Sequence, residues 1–297
     1  MRETRKEQIG SVGEGGTGLR VWGLKTGQRV ALGVFDGYHR GHQALGDRAD
    51  CIMTMYPHPE TVIRGACVPH LTSIRELCGM GISVMVLRFS RWVAALEPEV
   101  FLSVWGQRCH PTGVVVGEDF RFGRSQRGSL AVLSRWCQRE GVSLEVVPLV
   151  TAGDEAIKSS RIRQLIQAGE WDKACAWMGR PYRVMGRVVK GDGRGRTLGF
   201  PTANVWVSRH KVLPVNGVYR CRVTVPGMGD MPAIVNCGVR PTFGGGRVQL
   251  EVHIPDRRLS LYGQMVTVEI GSMIRPERSF ETVTALMAQI KEDIRQL

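Results

Sequence analysis

The first half of the chain alternates short apolar runs with helical patterns. Residues 29–35 form an apolar run that ends in a Gly/Asp turn, and Cys51–Tyr56 form another that stops at Pro57-His58-Pro59. Both predict buried strands, because proline cannot continue a central ladder. Strand signals recur at 84–87, 113–116 and 144–147, with helical periodicity between them at 41–48, 73–79, 98–108 and 129–140. That alternation predicts a parallel sheet covered by helices. Two more helices follow. Ser159-Ser160 caps one, which Gly169 stops, and the other runs over 171–178 and closes at Gly179 before Pro181.

From residue 183 the texture changes. Runs at 184–189, 217–225, 233–237, 248–254 and 265–270 alternate apolar and polar residues between Gly/Pro turns. The pattern predicts an antiparallel sheet closing into a small barrel. One helix ends the chain, with Ser279 as its expected N-cap and Phe280, Val283, Met287, Ile290 and Ile294 as its buried stripe. The expected fold class is therefore α/β plus β-barrel: a Rossmann-like domain, then a small antiparallel barrel with a terminal helix. The expected division is a frayed tail over 1–25, a first domain over 26–158, a helical linker over 159–182 contributing to the first site, and the barrel domain over 183–297.

Composition narrows the class. With 297 residues, 43% hydrophobic and 23% charged, the chain is long enough for two domains with their own cores. No apolar run approaches the roughly 18 residues of a membrane span, and residues 1–18 are charged and then Gly-rich, unlike a signal peptide. Eight scattered cysteines, with no CxxC pair, predict reduced core thiols in a cytoplasmic protein and no structural zinc. The net charge of +13 comes mostly from singly spaced Arg, with no basic block. It points to phosphate-bearing small substrates and a solvated surface, not to nucleic acid or membrane. Oligomerisation is left open.

Two segments carry the chemistry. The first runs from Gly33 to His42, reading GVFDGYHRGH, between a buried strand and a helix. Gly33, Gly37 and Gly41 allow close backbone approach to an anion, and His39 and His42 offer ring N–H donors to a transferring α-phosphate. Asp119, in GEDFRFG, falls at the C-terminal end of a strand, where open α/β sheets bind ligands. Ser159, Ser160 and Arg163 open a helix with hydroxyl and guanidinium groups suited to phosphate; plain N-capping is the competing reading.

The second segment is GDGRGRTLGFPTAN. Gly191, Gly193, Arg194, Gly195 and Arg196 form a basic loop, and Thr202 with Asn204 supplies two hard oxygen donors suited to Mg-ATP. No GxxxxGK[ST] occurs, so this is not a P-loop. Glu251, on a predicted strand, is the candidate base for an alcohol acceptor. Asn236 and residues 240–242 form a further turn that could close over the nucleotide. For Glu251 the alternative is an exposed strand carboxylate with a cross-strand partner, and for the turn a plain hairpin.

Taken with TMYPHP, SSRIR, NGVY, NCGVRPTF, LEVH, LYG and the segment from Arg275 to Phe280, these motifs resemble the bifunctional riboflavin kinase/FMN adenylyltransferase family, the prokaryotic FAD synthetases. The resemblance runs from about Arg29 to the C-terminus. It implies that ATP phosphorylates riboflavin to FMN in the barrel, with Mg2+, and that a second ATP adenylylates FMN to FAD in the first domain. On that resemblance His39 and His42 stabilise the transferring phosphate, and Gly33, Phe35, Gly37, Ser159, Ser160 and Arg163 bind ATP there. Asp119 helps hold flavin or metal, Phe120, Phe122 and Arg275 bind flavin with it, Thr202 and Asn204 hold the kinase metal, and Glu251 activates the ribityl hydroxyl. The chain departs from the family in two ways. Ser160 replaces a more usual threonine, and the stretch from His42 to Cys51 is short, with Gly46 inside the helix. The second departure raises the alternative of a riboflavin kinase with a weakened or lost adenylyltransferase half.

Overall fold

The computed structural model describes residues 19–65, 67–191, 193–240, 247–257 and 259–297, without the side chains of Arg194, Val239, Arg240, Arg247, Val248 and Gln249. The expected tail, Asp192 and the turn at 241–242 lie outside or partly outside these residues. The chain divides into two compact units. One comprises residues up to Val68 together with Leu77–Lys158; the other comprises Pro69–Glu76 and Ser159–Leu297.

The first unit is built on β1 (Val21–Trp22), β2 (Arg29–Leu32), β3 (Cys51–Tyr56), β4 (Val84–Arg88), β5 (Gly113–Gly117) and β6 (Ser143–Val147), in the spatial order β1-β4-β3-β2-β5-β6. All pairings are parallel except that of β1 with β4. The helices are α1 (Arg40–Gly46), α2 (Pro59–Arg64), α3 (Ile74–Gly79), α4 (Arg91–Ala94), α5 (Pro98–Cys109) and α6 (Leu130–Glu140). Strand alternation sends Val30, Leu32 and Met53 into one core with Phe101, Trp105 and Trp136, and sends Ala31 and Ile52 into another with Phe35, Leu45 and Leu77. Two buried faces explain why these strands read as continuous apolar runs. The chain leaves β2 for β3 and β4 on one side and later returns to β5 on the other. The neighbouring C-terminal ends of β2 and β5 thus form a topological switch point, where open sheets bind ligands. A short hairpin, β7 (Thr151–Ala152) with β8 (Glu155–Ala156), ends this unit.

In the second unit α7 (Ser159–Gln167) and α8 (Trp171–Met178) precede the barrel strands. These are β9 (Tyr182–Val189), β10 (Ala203–Trp206), β11 (Gly217–Val225), β12 (Gly229–Arg240), β13 (Arg247–His253) and β14 (Met265–Pro276). They close in the order β10-β13-β12-β11-β14-β9 around alternate residues such as Val184, Val205, Tyr219, Val235, Leu250 and Val268. One short helix, α9 (Arg194–Thr197), interrupts the Gly/Arg loop, and α10 (Val283–Arg295) ends the chain.

One strand was not anticipated and two expectations need correction. Strand β10 carries no run long enough to stand out in the sequence, because its four residues directly follow Pro201-Thr202. The last helix is capped by the Thr282 side chain, which accepts from Ala285 N, and not by Ser279. Its stripe is also different: Phe280 precedes the helix, Val283 is 58% exposed, and the buried residue is Asp293. Asp293 accepts Nε and Nη2 of Arg275 at 2.8–3.0 Å and Nε2 of Gln289 at 2.7 Å, so an ion pair anchors this helix where apolar packing was expected.

The segment Pro69–Glu76 is held within the second unit by a buried pair. Lys211 Nζ donates to Glu76 Oε2 at 2.8 Å and to Leu71 O at 2.5 Å, and it sits 4.6 Å from the centre of the Tyr182 ring. Glu76 also accepts Met185 N and Ser73 N. Both side chains are only 2% exposed, so removing one partner strands a desolvated charge. Lys211→Met is expected to lower the unfolding free energy of this unit by about 3–5 kcal/mol, measured by chemical denaturation followed through its tryptophans. A loss below ~1 kcal/mol, the range of exposed pairs, would contradict this.

Candidate active sites

The first site is built on the turn between β2 and α1. Phe35 and Tyr38 take positive φ values of 53° and 40°, and Tyr38 N donates to Phe35 O at 3.3 Å. Thr54, buried on the neighbouring strand β3, donates its hydroxyl to Val34 O at 2.5 Å and so fixes the turn from beneath. Gly46, which in the sequence looks like a weakness in a short helix, has a packing reason: a Cβ there would collide with the Tyr38 hydroxyl. The short crossover therefore still forms a complete strand–helix–strand unit, with β2 and β3 in parallel register.

His39 caps α1, its Nδ1 accepting from His42 N at 3.4 Å. The two imidazoles stack at 3.7 Å between centroids and 18° between planes, and the His42 ring lies 5.2 Å from Phe35. Burial, first, and the neighbouring His39 charge, second, hold the His42 pKa well below the ordinary 6.5. Its Nδ1 is buried without a hydrogen-bond partner among the described residues. Phe35 is fully buried, so it supports the histidines and does not present its ring to a nucleotide.

Asp119 stands just beyond β5, at the strand end next to this turn, with Lys158 Nζ 3.4 Å from its Oδ2 and both side chains half exposed. Phe120 stacks on Phe122 at 5.6 Å. Phe122 is itself a core residue packed on Phe101, so of the two expected flavin contacts it is a backing for Phe120. Ser159, Ser160 and Arg163 begin α7, in the second unit, with Ser160 exposed and Ile162 directed into the core.

The second site lies wholly in the second unit. A cavity of about 520 Å³ is lined by Gly191, Gly193, Arg196, Thr202, Asn204 and Tyr262, among others. A second of about 360 Å³ is lined by Thr202, Asn236, Glu251, Phe280, Leu286 and Ile290, together with Gly195, His253 and Arg275. Thr202 lines both. Strand register explains the rest: Asn204 on β10 and Asn236 on β12 stand opposite Glu251 on β13, one on each side. Asn236 is thus a strand residue in the middle of the barrel, not part of a turn as expected. Glu251 is half buried and faces the smaller cavity, which is more than an exposed strand carboxylate would do. Gly191 is required where it stands because the Asn204 amide lies against its Cα and leaves no room for a Cβ.

Arg275 reaches the smaller cavity with its guanidinium on Asp293, and the guanidinium groups of Arg275 and Arg278 stand 5.6 and 4.9 Å from the centre of the Phe280 ring. Tyr262, in the LYG motif, and Leu286 had no role assigned from the sequence, and Ile290 was expected only in the buried stripe of the last helix; together Leu286 and Ile290 form an apolar wall of the smaller cavity. Among the described residues no group of three or more His, Cys, Asp or Glu could hold a metal. The oxygens of Thr202 and Asn204 are the donor set that fits one, in the manner of magnesium, which takes few protein oxygens plus phosphate and water.

A family model described as FAD synthetase matches residues 24–161, and one described as riboflavin kinase matches residues 178–297. Relatives named bifunctional riboflavin kinase/FMN adenylyltransferase are 36% identical in Escherichia coli K12, covering 89% of this chain and 90% of that protein, and 31% identical in Bacillus subtilis 168, covering 89% of each. A crystal structure named as a macrolide-efflux protein from Streptococcus pneumoniae matches with a TM-score of 0.79 and 29% identity, over 91% of this chain and 93% of that one. That name describes a different activity. No helix among the described residues is long and apolar enough to cross a membrane.

The stacked imidazoles yield a direct test by NMR. His42 is expected to titrate well below 6.5, and His39→Ala to raise its pKa while burial keeps it below 6.5. Because the unfolded chain takes up this proton first, the first unit should lose stability as pH falls below 6.5, until the folded-state pKa is passed. A His42 that titrates at 6.5 in the folded protein would contradict this.

Proposed function

This chain belongs to the bifunctional riboflavin kinase/FMN adenylyltransferase family, and we propose how its residues divide the two reactions. ATP phosphorylates riboflavin to FMN in the barrel unit, and ATP adenylylates FMN to FAD in the first unit. Both family models match and full-length relatives carry both names, so the alternative of a kinase with a lost adenylyltransferase half has no support.

In the kinase reaction the ribityl hydroxyl oxygen attacks the γ-phosphorus, its proton leaves, and ADP departs. The observation that carries the assignment is Thr202, which lines both cavities of the barrel unit. The larger cavity, with Gly191, Gly193 and Arg196, suits the triphosphate. The smaller, with Phe280, Leu286 and Ile290, suits the flavin ring. The γ-phosphate then falls at their junction, and Glu251 on the flavin side accepts the hydroxyl proton. Gly195, and Arg194 from the same loop, belong to the nucleotide side. Thr202 and Asn204 would hold Mg2+, which supplies charge neutralisation to the phosphates when bound. Arg275 acts on the flavin as part of the wall that Asp293 anchors.

In the adenylyl transfer an FMN phosphate oxygen attacks the α-phosphorus of ATP and pyrophosphate leaves. No covalent enzyme intermediate is needed, so the protein's task is to hold the reactants in line and stabilise charge on the pentavalent phosphorus. His39 and His42 supply ring donors at the β2 end of the switch point, with Gly33 and Gly37 giving the backbone access. Asp119 and Phe120, at the adjacent β5 end, face the flavin. The donors of Ser159, Ser160 and Arg163 suit phosphate oxygens.

One assay separates the two halves. With riboflavin, ATP and magnesium, chromatography should show FMN and then FAD. Glu251→Gln is expected to slow FMN formation about 10²–10⁴-fold while FAD formation from added FMN continues. His42→Ala is expected to do the reverse. Equal loss of both reactions in either variant would mean that the roles are wrongly divided.

A further inference from the structure

On the outer face of β13, Glu251 and His253 are neighbours two residues apart. Glu251 is flanked by Asn204 and Asn236, all three polar and suited to the reaction. His253 stands in a different row. Its partner on β12 is Ile234, and its ring packs edge-on against Phe200 at 5.8 Å. An apolar side chain would fit that row. Instead a histidine occupies it, only 7% exposed, with Nδ1 2.8 Å from Pro201 O. A carbonyl oxygen only accepts, so Nδ1 carries the proton and donates.

That bond sits where the sheet runs out. Ala203 with Val252 is the final pair of the β10–β13 ladder, so the Pro201 carbonyl lies one step beyond backbone pairing. The same peptide group joins Pro201 to Thr202, and its plane fixes the direction in which Thr202 leaves the backbone. Phe200 N, bonded to Gly195 O at 2.8 Å, ties the preceding residue to the Gly/Arg loop. The turn is therefore pinned at two points just before the residue that lines both cavities, and the β10–β13 ladder holds the chain just after it.

We propose that His253 is a positioning residue for the kinase metal site: by holding the Pro201 carbonyl it orients the Thr202 hydroxyl toward the junction of the two cavities. This rests on the reading that Thr202 holds the metal. His253 does not transfer a proton and does not touch the reacting atoms. Partners that orient a metal ligand typically change metal affinity or activity 10–100-fold when lost.

The test measures Mn2+ binding to the full-length protein in the presence of ADP by electron paramagnetic resonance, alongside FMN formation. Thr202→Ala first identifies the kinase metal site as the one it removes. His253→Leu should weaken that same site about tenfold. It should also raise the magnesium needed for half-maximal FMN formation, leaving FAD formation from added FMN near wild type. His253→Asn, whose amide N–H falls where Nδ1–H was, should bind Mn2+ within about twofold of wild type. His253→Gln, whose donor lies one bond further out, should resemble the leucine variant; it also serves if leucine fails to fold. Unchanged Mn2+ affinity in the leucine and glutamine variants, or an asparagine variant as weak as glutamine, would overturn the proposal. If Thr202→Ala removes no metal site, the magnesium assignment itself falls, and this inference with it.

Discussion

The register of β10 against β13 governs the barrel site. With Asn204 opposite Glu251, the expected metal donor and the expected base share one row of the outer sheet face, and Asn236 completes that row from β12. Strand side chains alternate, so a slip of one residue would turn Glu251 and His253 into the barrel and push Leu250 and Val252 out. Burying those two valine- and leucine-sized side chains disfavours that slip by several kcal/mol. The packed interior thus holds the polar row in place, and the chemistry depends on hydrophobic residues that never meet a substrate.

The adenylyl site follows a different logic. Its groups are held by a turn of two positive-φ residues, by the Thr54 hydroxyl below, and by the Tyr38 ring over Gly46. Burial keeps His42 neutral, and its stacked neighbour adds to the effect. Two stacked imidazoles cannot both carry charge cheaply without an anion between or beside them. In the proposed adenylyl transfer the incoming triphosphate supplies one. The cost of holding this pair is offset by the β-sheet cores on either face, which fix β2 and β3 regardless of what the turn does.

Much of this was legible in the sequence, for reasons that differ by element. Strand β3 and helix α8 match their expected bounds residue for residue, because Pro57 stops the one and Gly179 closes the other. The candidate residues stood out by motif: His39 and His42 where a Gly-rich turn enters α1, Thr202 and Asn204 just after Pro201, and Glu251 on the alternating strand β13. Strand β10 was not: four residues after a proline show no period. The cap at Thr282 was hidden because Ser279 offers the same chemistry three residues earlier. Asp293 was hidden because a helix-wheel reading looks for apolar residues on the buried face, and here the face is set by Arg275 from β14. The inclusion of Pro69–Glu76 in the second unit has no local signal, since Glu76 and Lys211 are far apart in sequence and each alone looks like a surface charge. Gly46 read as a flaw because only the fold reveals Tyr38 above it.

On the proposed division of roles, one chain carries two separate nucleotide sites, one at the sheet's switch point and one in the barrel. Equilibrium dialysis with a radiolabelled, non-hydrolysable ATP analogue and magnesium measures this directly. Two molecules bound per chain, one of them lost in Asn204→Ala and the other in His39→Ala, is the predicted result. A single molecule bound per chain, or one variant abolishing both, would contradict it.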